Sequence, residues 1–301
     1  MKHLLPTVAL AVACILAACT KTIPVTVDTY SPRVSIESLL EPGTTPRVHL
    51  NKTVPFFSPD QTPSVLFLRD AEVIISSDLG AETLVADSLY DRFFCRWQPF
   101  YQGSTVIQED VEYTLTVRVN GETYSAVTVT DVTAVTIDSV GYTTTFTDLY
   151  GGHEGVIVDF MDIQGEPNQY RFQMDRPLDN NHETVDDFEL SSVCMQDGET
   201  YVVADIGRFV YFDTNFDGAP VRFVVEPAHT NRKGDPATVY IQSMDRASAE
   251  FYDVLDRQRE SNINPFIEPV FLDSKIDGAI GVFGSIARSE PFPWEFPEDS
   301  L

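Results

Sequence analysis

The chain has 301 residues, which suggests two domains at roughly 150 residues per domain. Its 46 acidic and 20 basic side chains give a formal net charge of -26. Because proteins that bind nucleic acid present Lys and Arg to the phosphates, this balance argues against a nucleic-acid partner. A hydrophobic content of 43% is enough for ordinary cores, so we interpret the chain as a folded protein with an acidic exterior.

Residues 1–18 have the three-part layout of an export signal. Lys2 and His3 precede an apolar run over residues 4–13, and Leu16-Ala17-Ala18 leads to Cys19. The order Leu-Ala-Ala-Cys is the lipobox of bacterial lipoproteins, in which the cysteine is acylated and the preceding peptide is removed. We therefore predict a signal peptide over residues 1–18, lipidation of Cys19 and a lipid-anchored linker over residues 19–24. Several acyl chains together make such an anchor in the bilayer stable.

The residues after Cys19 indicate where the anchored protein is delivered. Thr20 stands where an aspartate would signal retention in the inner membrane, so we expect delivery to the outer membrane. We expect the protein on the cell surface. The periplasmic leaflet stays open as an alternative, because Thr20-Lys21-Thr22 lacks the acidic residues usual in surface-export signals.

Short segments with a period of two follow from residue 25 and predict β-strands. In the clearest pair, Asn120-Gly121 separates alternating runs over residues 112–119 and 122–130, which predicts a hairpin with a type I′ turn. Turn signals recur about every ten residues. We therefore predict an all-β protein that begins with an immunoglobulin-like β-sandwich over residues 25–134.

The following region, residues 135–288, is predicted as a larger, acidic β-sandwich or barrel-like domain. Residues 136–301 hold 31 acidic and 11 basic side chains, so most of the net charge lies there. Its exception to the strand pattern is one amphipathic helix over residues 246–260. We expect the acidic, Pro-rich residues 289–301 to be a flexible tail.

Asp213, Asn215 and Asp217, followed by Gly218, resemble the start of a calcium-binding loop. Position 12 of such a loop would be Val224 instead of a bidentate glutamate, and strands flank the segment. We interpret the segment as a hairpin turn between two strands. A calcium site of another type is the alternative, and no other cofactor is predicted.

Cys95 and Cys194 are the cysteines that remain once Cys14 leaves with the signal and Cys19 carries lipid. Two buried free thiols are the favoured interpretation. A disulfide between the two regions is the alternative, since an extracytoplasmic compartment permits it.

The sequence lacks the common catalytic motifs. It has neither a Gly-x-Ser-x-Gly elbow nor a phosphate-binding Gly-x-x-x-x-Gly-Lys. His49, His153, His182 and His229 are too far apart for a helix-borne zinc pair. Acidic pairs such as Glu109-Asp110, Asp186-Asp187 and Asp159 with Asp162 are expected by chance at this acidity, although they leave a hydrolase open. We predict no catalytic residues and no enzyme.

Several segments, which follow one another in the same order over nearly the whole chain, resemble the outer-membrane lipoproteins of Bacteroidota grouped as domain of unknown function 4249. The matching segments are the lipobox at Cys19 and residues 46–50, 70–73, 113–117, 120–121, 124–126, 137–139, 168–170, 212–218, 266–270 and 276–283. Lys275 departs from the family pattern, which more often has Asn. The resemblance implies a partner of TonB-dependent outer-membrane transporters and carries over no catalytic residue.

We therefore predict a non-enzymatic binding or accessory component of a TonB-dependent nutrient uptake system. Its expected partners are the transporter and, through Cys19, the lipid bilayer. A structural or adhesive cell-surface lipoprotein is the first alternative, and a surface hydrolase is the second.

Overall fold

The computed structural model describes residues 30–55, 58–59, 61–148, 151–165, 167–180, 192–214, 217–227, 234–263 and 270–297. The predicted signal peptide, Cys19 and Asn215 lie outside these residues, as do Asp186, Asp187, His182 and His229. The described chain is mostly strand, which confirms the prediction of an all-β, sandwich-like protein.

The predicted N-terminal region contains eight strands and one short helix within its described residues. The elements are β1 (Val34–Leu40), β2 (Arg47–Lys52), α1 (Pro63–Leu66), β3 (Glu72–Ser77), β4 (Gly80–Thr83), β5 (Val85–Asp91), β6 (Arg96–Gln102), β7 (Glu112–Val119) and β8 (Glu122–Val129).

The described part of the remaining chain adds nine strands and one long helix. The elements are β9 (Ile137–Asp148), β10 (Gly151–Met161), β11 (Gln169–Asp179), β12 (Thr200–Ile206), β13 (Tyr211–Phe212), β14 (Pro220–Val225), β15 (Pro236–Met244), α2 (Arg246–Ile263), β16 (Ile280–Arg288) and β17 (Phe292–Glu295).

A ten-stranded sheet joins strands from both predicted regions. Its order is β12-β11-β15-β16-β1-β2-β6-β5, with β13 beside β11 and β17 beside β15. The parallel pair β1–β16 makes this connection, and Gly281 lies opposite Ile36. Gly281 has a φ of 138°, and a Cβ there would come within 1.7 Å of the Ile36 carbonyl oxygen, so only glycine fits.

Two smaller sheets complete the described fold. Their orders are β14-β10-β9 and β4-β3-β7-β8. The pair β7–β8 confirms the predicted hairpin, with Val119 opposite Glu122 across the turn. Asn120 and Gly121 have φ values of 53° and 84°, as a type I′ turn requires.

The hydrophobic core changes near the predicted boundary at residue 134. The first core contains inward residues of β1, β2, β3 and β7, and the second contains residues from Val135 to Phe296. However, Ile276, Ala279 and Phe283 from the second region complete the first core. A third core, with Ala249, Phe251 and Tyr252, lies under α2. The described residues therefore contain three cores within one compact unit, which extends from Pro32 onward.

The prediction of a flexible C-terminal tail is wrong for residues 289–297. β17 pairs with β15, and Phe296 is only 1% exposed. Phe292, Trp294 and Phe296 alternate with exposed residues, so this segment has one apolar face that packs on the second core. The Pro-rich, acidic composition obscured this period of two.

The predicted amphipathic helix is confirmed as α2, which extends to Ile263. The Asp245 carboxylate accepts the Ser248 N–H at its start, at 3.0 Å, and the Ser285 N–H of β16 at 2.7 Å. One side chain therefore caps the helix and fixes it to the large sheet. Neither described helix is long and apolar enough to cross a membrane.

Glu82 stabilises the connection after β6. Its Oε1 accepts the Ser104 N–H and hydroxyl, both at 2.6 Å, and its Oε2 accepts the Thr105 N–H at 3.0 Å. Burial by itself would raise the pKa of Glu82, but these hydrogen bonds outweigh it and lower the pKa from 4.5 to about 2. The ionised form is therefore the one that stabilises the fold.

We expect Glu82→Gln to lower the free energy of unfolding by roughly 1–2 kcal/mol at pH 7, after allowance for solvent screening. Because the folded pKa is depressed, the loss should be complete above about pH 4.5 and should disappear as the pH falls to about 2. Urea unfolding at several pH values measures it, with the exposed Glu122→Gln as the matched control. A pH-independent difference would contradict the assignment.

Candidate functional site

Three carboxylates meet where the large sheet and the β14-β10-β9 sheet are connected. Oxygen atoms of Asp162, Asp213 and Asp217 all lie within 4.8 Å of one another. Asp162 follows β10, Asp213 follows β13 and Asp217 precedes β14. The structure thus brings together two of the three predicted residues, and adds Asp162.

The interpretation of residues 213–218 as a hairpin turn is wrong. β13 pairs with β11 in the large sheet, whereas β14 pairs with β10 in the three-stranded sheet. The segment is therefore a connection between two sheets. Asn215, the third predicted ligand, lies outside the described residues.

Asp162 is the most buried residue of the cluster, at 6% exposed. Its Oδ1 accepts the Tyr170 hydroxyl at 2.6 Å, and its Oδ2 accepts the Gly218 N–H at 2.8 Å. Burial, together with the hydrogen bond to Asp162, raises the pKa of Tyr170. Tyr170 therefore stays a hydrogen-bond donor to the carboxylate.

The other two acidic residues both contact the connection between β10 and β11. Asp217 Oδ1 accepts the Gly165 N–H at 2.6 Å, and the backbone N–H of Asp213 donates to the Asn168 carbonyl at 2.9 Å. Asp213 is 8% exposed, so two of the three acidic side chains are nearly buried. Carboxylate oxygens are the ligands that calcium prefers, and three of them could supply part of a coordination shell of six to eight oxygens. Calcium binding stays a prediction, now with Asp162 in the set.

If the cluster binds calcium, a calcium concentration about a hundredfold above Kd should raise the free energy of unfolding by roughly 2.7 kcal/mol. Thermal unfolding with calcium and with chelator measures this. Asp213→Asn should abolish the difference, whereas Glu109→Gln, at an exposed acidic residue elsewhere, should keep it. Equal melting temperatures with and without calcium in the wild-type chain would contradict the prediction.

Cys95 and Cys194 form a disulfide, with their Cα atoms 5.7 Å apart. The interpretation as two buried free thiols is therefore wrong. The bond joins the β5–β6 turn to the connection between β11 and β12, which are 99 residues apart in the sequence. That distance hides the pairing from any local sequence pattern.

Further contacts hold the β5–β6 turn beside the disulfide. The Phe93 ring stacks on Tyr201 with a centroid distance of 4.6 Å. Arg92 forms an ion pair with Glu199, with Nη2 and Oε1 2.5 Å apart. The turn is therefore clamped to the start of β12, at the opposite end of the large sheet.

Apolar side chains surround this clamped hairpin without entering a core. We define the hairpin surface as the exposed apolar residues of β5, β6 and their turn. These residues are Val85 (70% exposed), Leu89 (61%), Tyr90 (37%), Phe94 (59%) and Trp97 (53%). Val85 and Leu89 share one face of the hairpin, whereas Tyr90 and Trp97, which are paired across the two strands, share the other. Groups of exposed apolar residues of this kind are typical of interaction sites. Sequence reasoning missed the surface, because β-strand residues of these types are usually buried.

A second polar cluster fixes α2 to the sheet. Arg171 Nη2 lies 3.0 Å from Asp256 Oδ2, and the Tyr252 hydroxyl donates to Glu37 at 2.6 Å. Burial raises the pKa of Asp256, against the opposing effect of Arg171 and Arg259. These contacts connect the helix with β1 and β11, so we assign them a structural role.

The acidic pair Asp159 with Asp162 does not form a shared carboxylate site. Arg222 donates to both oxygens of Asp159, at 2.6 and 3.0 Å, and these hydrogen bonds lower the pKa of Asp159. Asp162 belongs to the buried cluster described above. The two carboxylates therefore have separate partners.

Comparison with known proteins yields one finding. A protein-family model described as "Domain of unknown function (DUF4249)" matches residues 20–290. No curated protein matches the chain.

Proposed function

The chain belongs to the DUF4249 family, and from this membership we propose that it is a Bacteroidota outer-membrane lipoprotein that serves TonB-dependent nutrient uptake as a non-enzymatic binding or accessory component. The observation that carries the proposal is the position of the family match. The match begins at residue 20, immediately after the lipobox cysteine Cys19. The family domain therefore starts where a mature lipoprotein would start.

The Cys95–Cys194 disulfide supports a location outside the cytoplasm. Disulfides persist in oxidising compartments and are rare in the cytosol, where thiols are kept reduced. A lipid anchor at Cys19 would hold the folded, acidic domain at the outer membrane.

The hairpin surface supports a partner-binding role. It presents apolar side chains on a hairpin that is fixed at its turn by the disulfide. Because a fixed surface loses little conformational entropy on binding, such a site suits a stable partner. A transporter in the same membrane is the partner that the family resemblance implies.

Deletion of the gene tests the uptake role. We expect slower growth on at least one sole nutrient, restored by the wild-type gene and not by a Cys19→Ser gene. Normal growth on every nutrient tried, together with adhesion of the purified protein to matrix macromolecules, would instead favour a structural or adhesive role.

A further inference from the structure

β5 is an edge strand. It stands at the end of the ten-stranded sheet, and within the described residues it pairs with β6 alone. The pairing runs without a register shift from Val85 opposite Gln102 to Asp91 opposite Arg96. Such an edge presents a row of backbone N–H and C=O groups that another strand can pair with.

The backbone groups of Ser88 point to the open edge. Gly103 N–H donates to the Pro46 carbonyl at 2.9 Å, so the odd-numbered residues of β6 direct their hydrogen bonds towards β2. Pro99, opposite Ser88, therefore makes no backbone hydrogen bond to β5. By the same alternation, Ala86 and Tyr90 also direct their N–H and C=O groups away from β6.

The outward N–H of Ser88 already donates a hydrogen bond to a side chain of its own strand. The Asp87 carboxylate accepts this N–H at 2.7 Å. Asp87 thus stands where the carbonyl of a further strand would be the natural acceptor. Binding of such a strand would release the carboxylate to pair with a cation.

Within the described residues, the strand has little of the protection that is common at natural edges. Natural sheets blunt their edges with charged side chains, above all Lys, and with Pro, bulges or a covering element. Of these devices β5 has two charged side chains, Asp87 and Asp91. β5 contains no Lys or Pro, its register has no bulge, and none of its residues is buried. Val85 and Leu89, at 70% and 61% exposed, share a face with Asp87.

The edge is held in position at both ends of the hairpin. At the base, the buried Tyr101 hydroxyl donates towards the Leu68 and Arg69 carbonyls, at 2.8 and 2.7 Å. At the turn, the disulfide and the Phe93–Tyr201 stack attach it to β12. A partner strand therefore meets a preformed ladder, and most of the ordering cost falls on the partner.

We propose that the outer edge of β5 binds an extended segment of the transporter by strand addition, with a Lys or Arg of that segment placed beside Asp87. Asp87 and Asp91 are the charged side chains of β5, and Leu89 lies between them on the same face. The matching segment therefore has a basic residue opposite Asp87 and an apolar residue opposite Leu89. This inference rests on the proposed uptake role.

A second copy of the chain fits the edge less well. Pairing of two β5 strands would place four aspartates along one ladder and join two chains of net charge -26 each. Like charges across strands destabilise the pairing. Charge therefore favours a partner that brings a basic residue.

Affinity purification of the full-length chain from detergent-solubilised outer membranes tests the inference. Ser88→Pro removes the outward N–H and fills the edge with the proline ring, while the hydrogen bonds to β6 remain. We expect the yield of transporter per chain to fall about tenfold, as for the loss of one backbone hydrogen bond between the strands. Asp87→Lys leaves the backbone intact and should lower the yield of transporter by a similar factor. If Ser88→Pro misfolds, the yield with Asp87→Lys decides whether the edge of β5 binds the transporter.

Thr123→Pro is the matched control. Thr123 lies on the terminal strand β8 of another sheet, and it follows the pair Val119–Glu122 that closes the β7–β8 hairpin, so its N–H also points outward. This variant should keep the wild-type yield. An unchanged yield of transporter with Asp87→Lys would overturn the inference, and so would an equal loss of transporter with both proline variants. A wild-type dimer that Ser88→Pro dissociates would also overturn it, because a second copy of the chain would then occupy the edge. If the wild-type chain recovers no transporter, the proposed uptake role itself fails.

Discussion

Replacing Cys95 and Cys194 together by serine is expected to lower the free energy of unfolding by roughly 4 kcal/mol. The bond joins residues 99 positions apart, and a cross-link over a loop of that length strongly restricts the unfolded chain. The serine hydroxyls replace the sulfur atoms with little change in packing, since Cys194 is exposed. The effect should therefore come mainly from the lost covalent link.

Denaturant unfolding of the double variant measures this loss. The wild-type chain unfolded under reducing conditions is the matched control, and it should unfold at the same denaturant concentration as the variant. Hydrogen exchange should increase first in β5, β6 and β12, which the bond connects. A variant as stable as the oxidised wild-type chain would show that Arg92, Phe93 and their partners hold the hairpin by themselves.

Replacing Cys19 by serine is expected to abolish lipidation and to release the protein from the outer membrane. The thiol is the acceptor of the first acyl group, and a hydroxyl at this position would leave the chain without the anchor. Metabolic labelling with palmitate and fractionation of the cell envelope measure both effects.

Cys14→Ser provides the matched control for lipidation. Cys14 lies in the predicted signal peptide, so this variant should be labelled and retained like the wild-type chain. Palmitate label on Cys19→Ser, or loss of label from Cys14→Ser, would contradict the lipobox assignment.

Features set by neighbouring residues could be predicted from the sequence. Asn120-Gly121 determines its own turn, because both residues tolerate a positive φ. The period of two along the strands gave the all-β class. Likewise, the spacing of apolar residues after Arg246 gave the helix, apart from its last turn.

Features set by residues far apart in the sequence could not be predicted in this way. Nothing near Ile36 indicates that it pairs with Gly281, and Asp162 enters the carboxylate cluster because Met161 lies opposite Pro220 in the β10–β14 pair. The ion pair of Arg176 with Asp205 is buried, although both residues belong to types that are normally exposed. Only the tertiary fold brings these two charged groups together, because Arg176 lies on β11 and Asp205 on the neighbouring β12.

The hairpin surface could not be predicted for the same reason. A segment rich in Val, Leu and Tyr predicts a strand, but its sequence does not tell whether a core covers it. In β5 no core does, and the strand instead lies at the edge of a sheet. We therefore expect the role of β5 to depend on a binding partner.

Whether this family member works with a transporter is decided by affinity purification of the tagged, full-length chain from outer membranes, followed by mass spectrometry. We predict that a TonB-dependent β-barrel transporter is recovered in amounts comparable to the chain, and that the Cys19→Ser variant does not recover it. Recovery of the lipidated chain without any such transporter would contradict the proposed role in uptake.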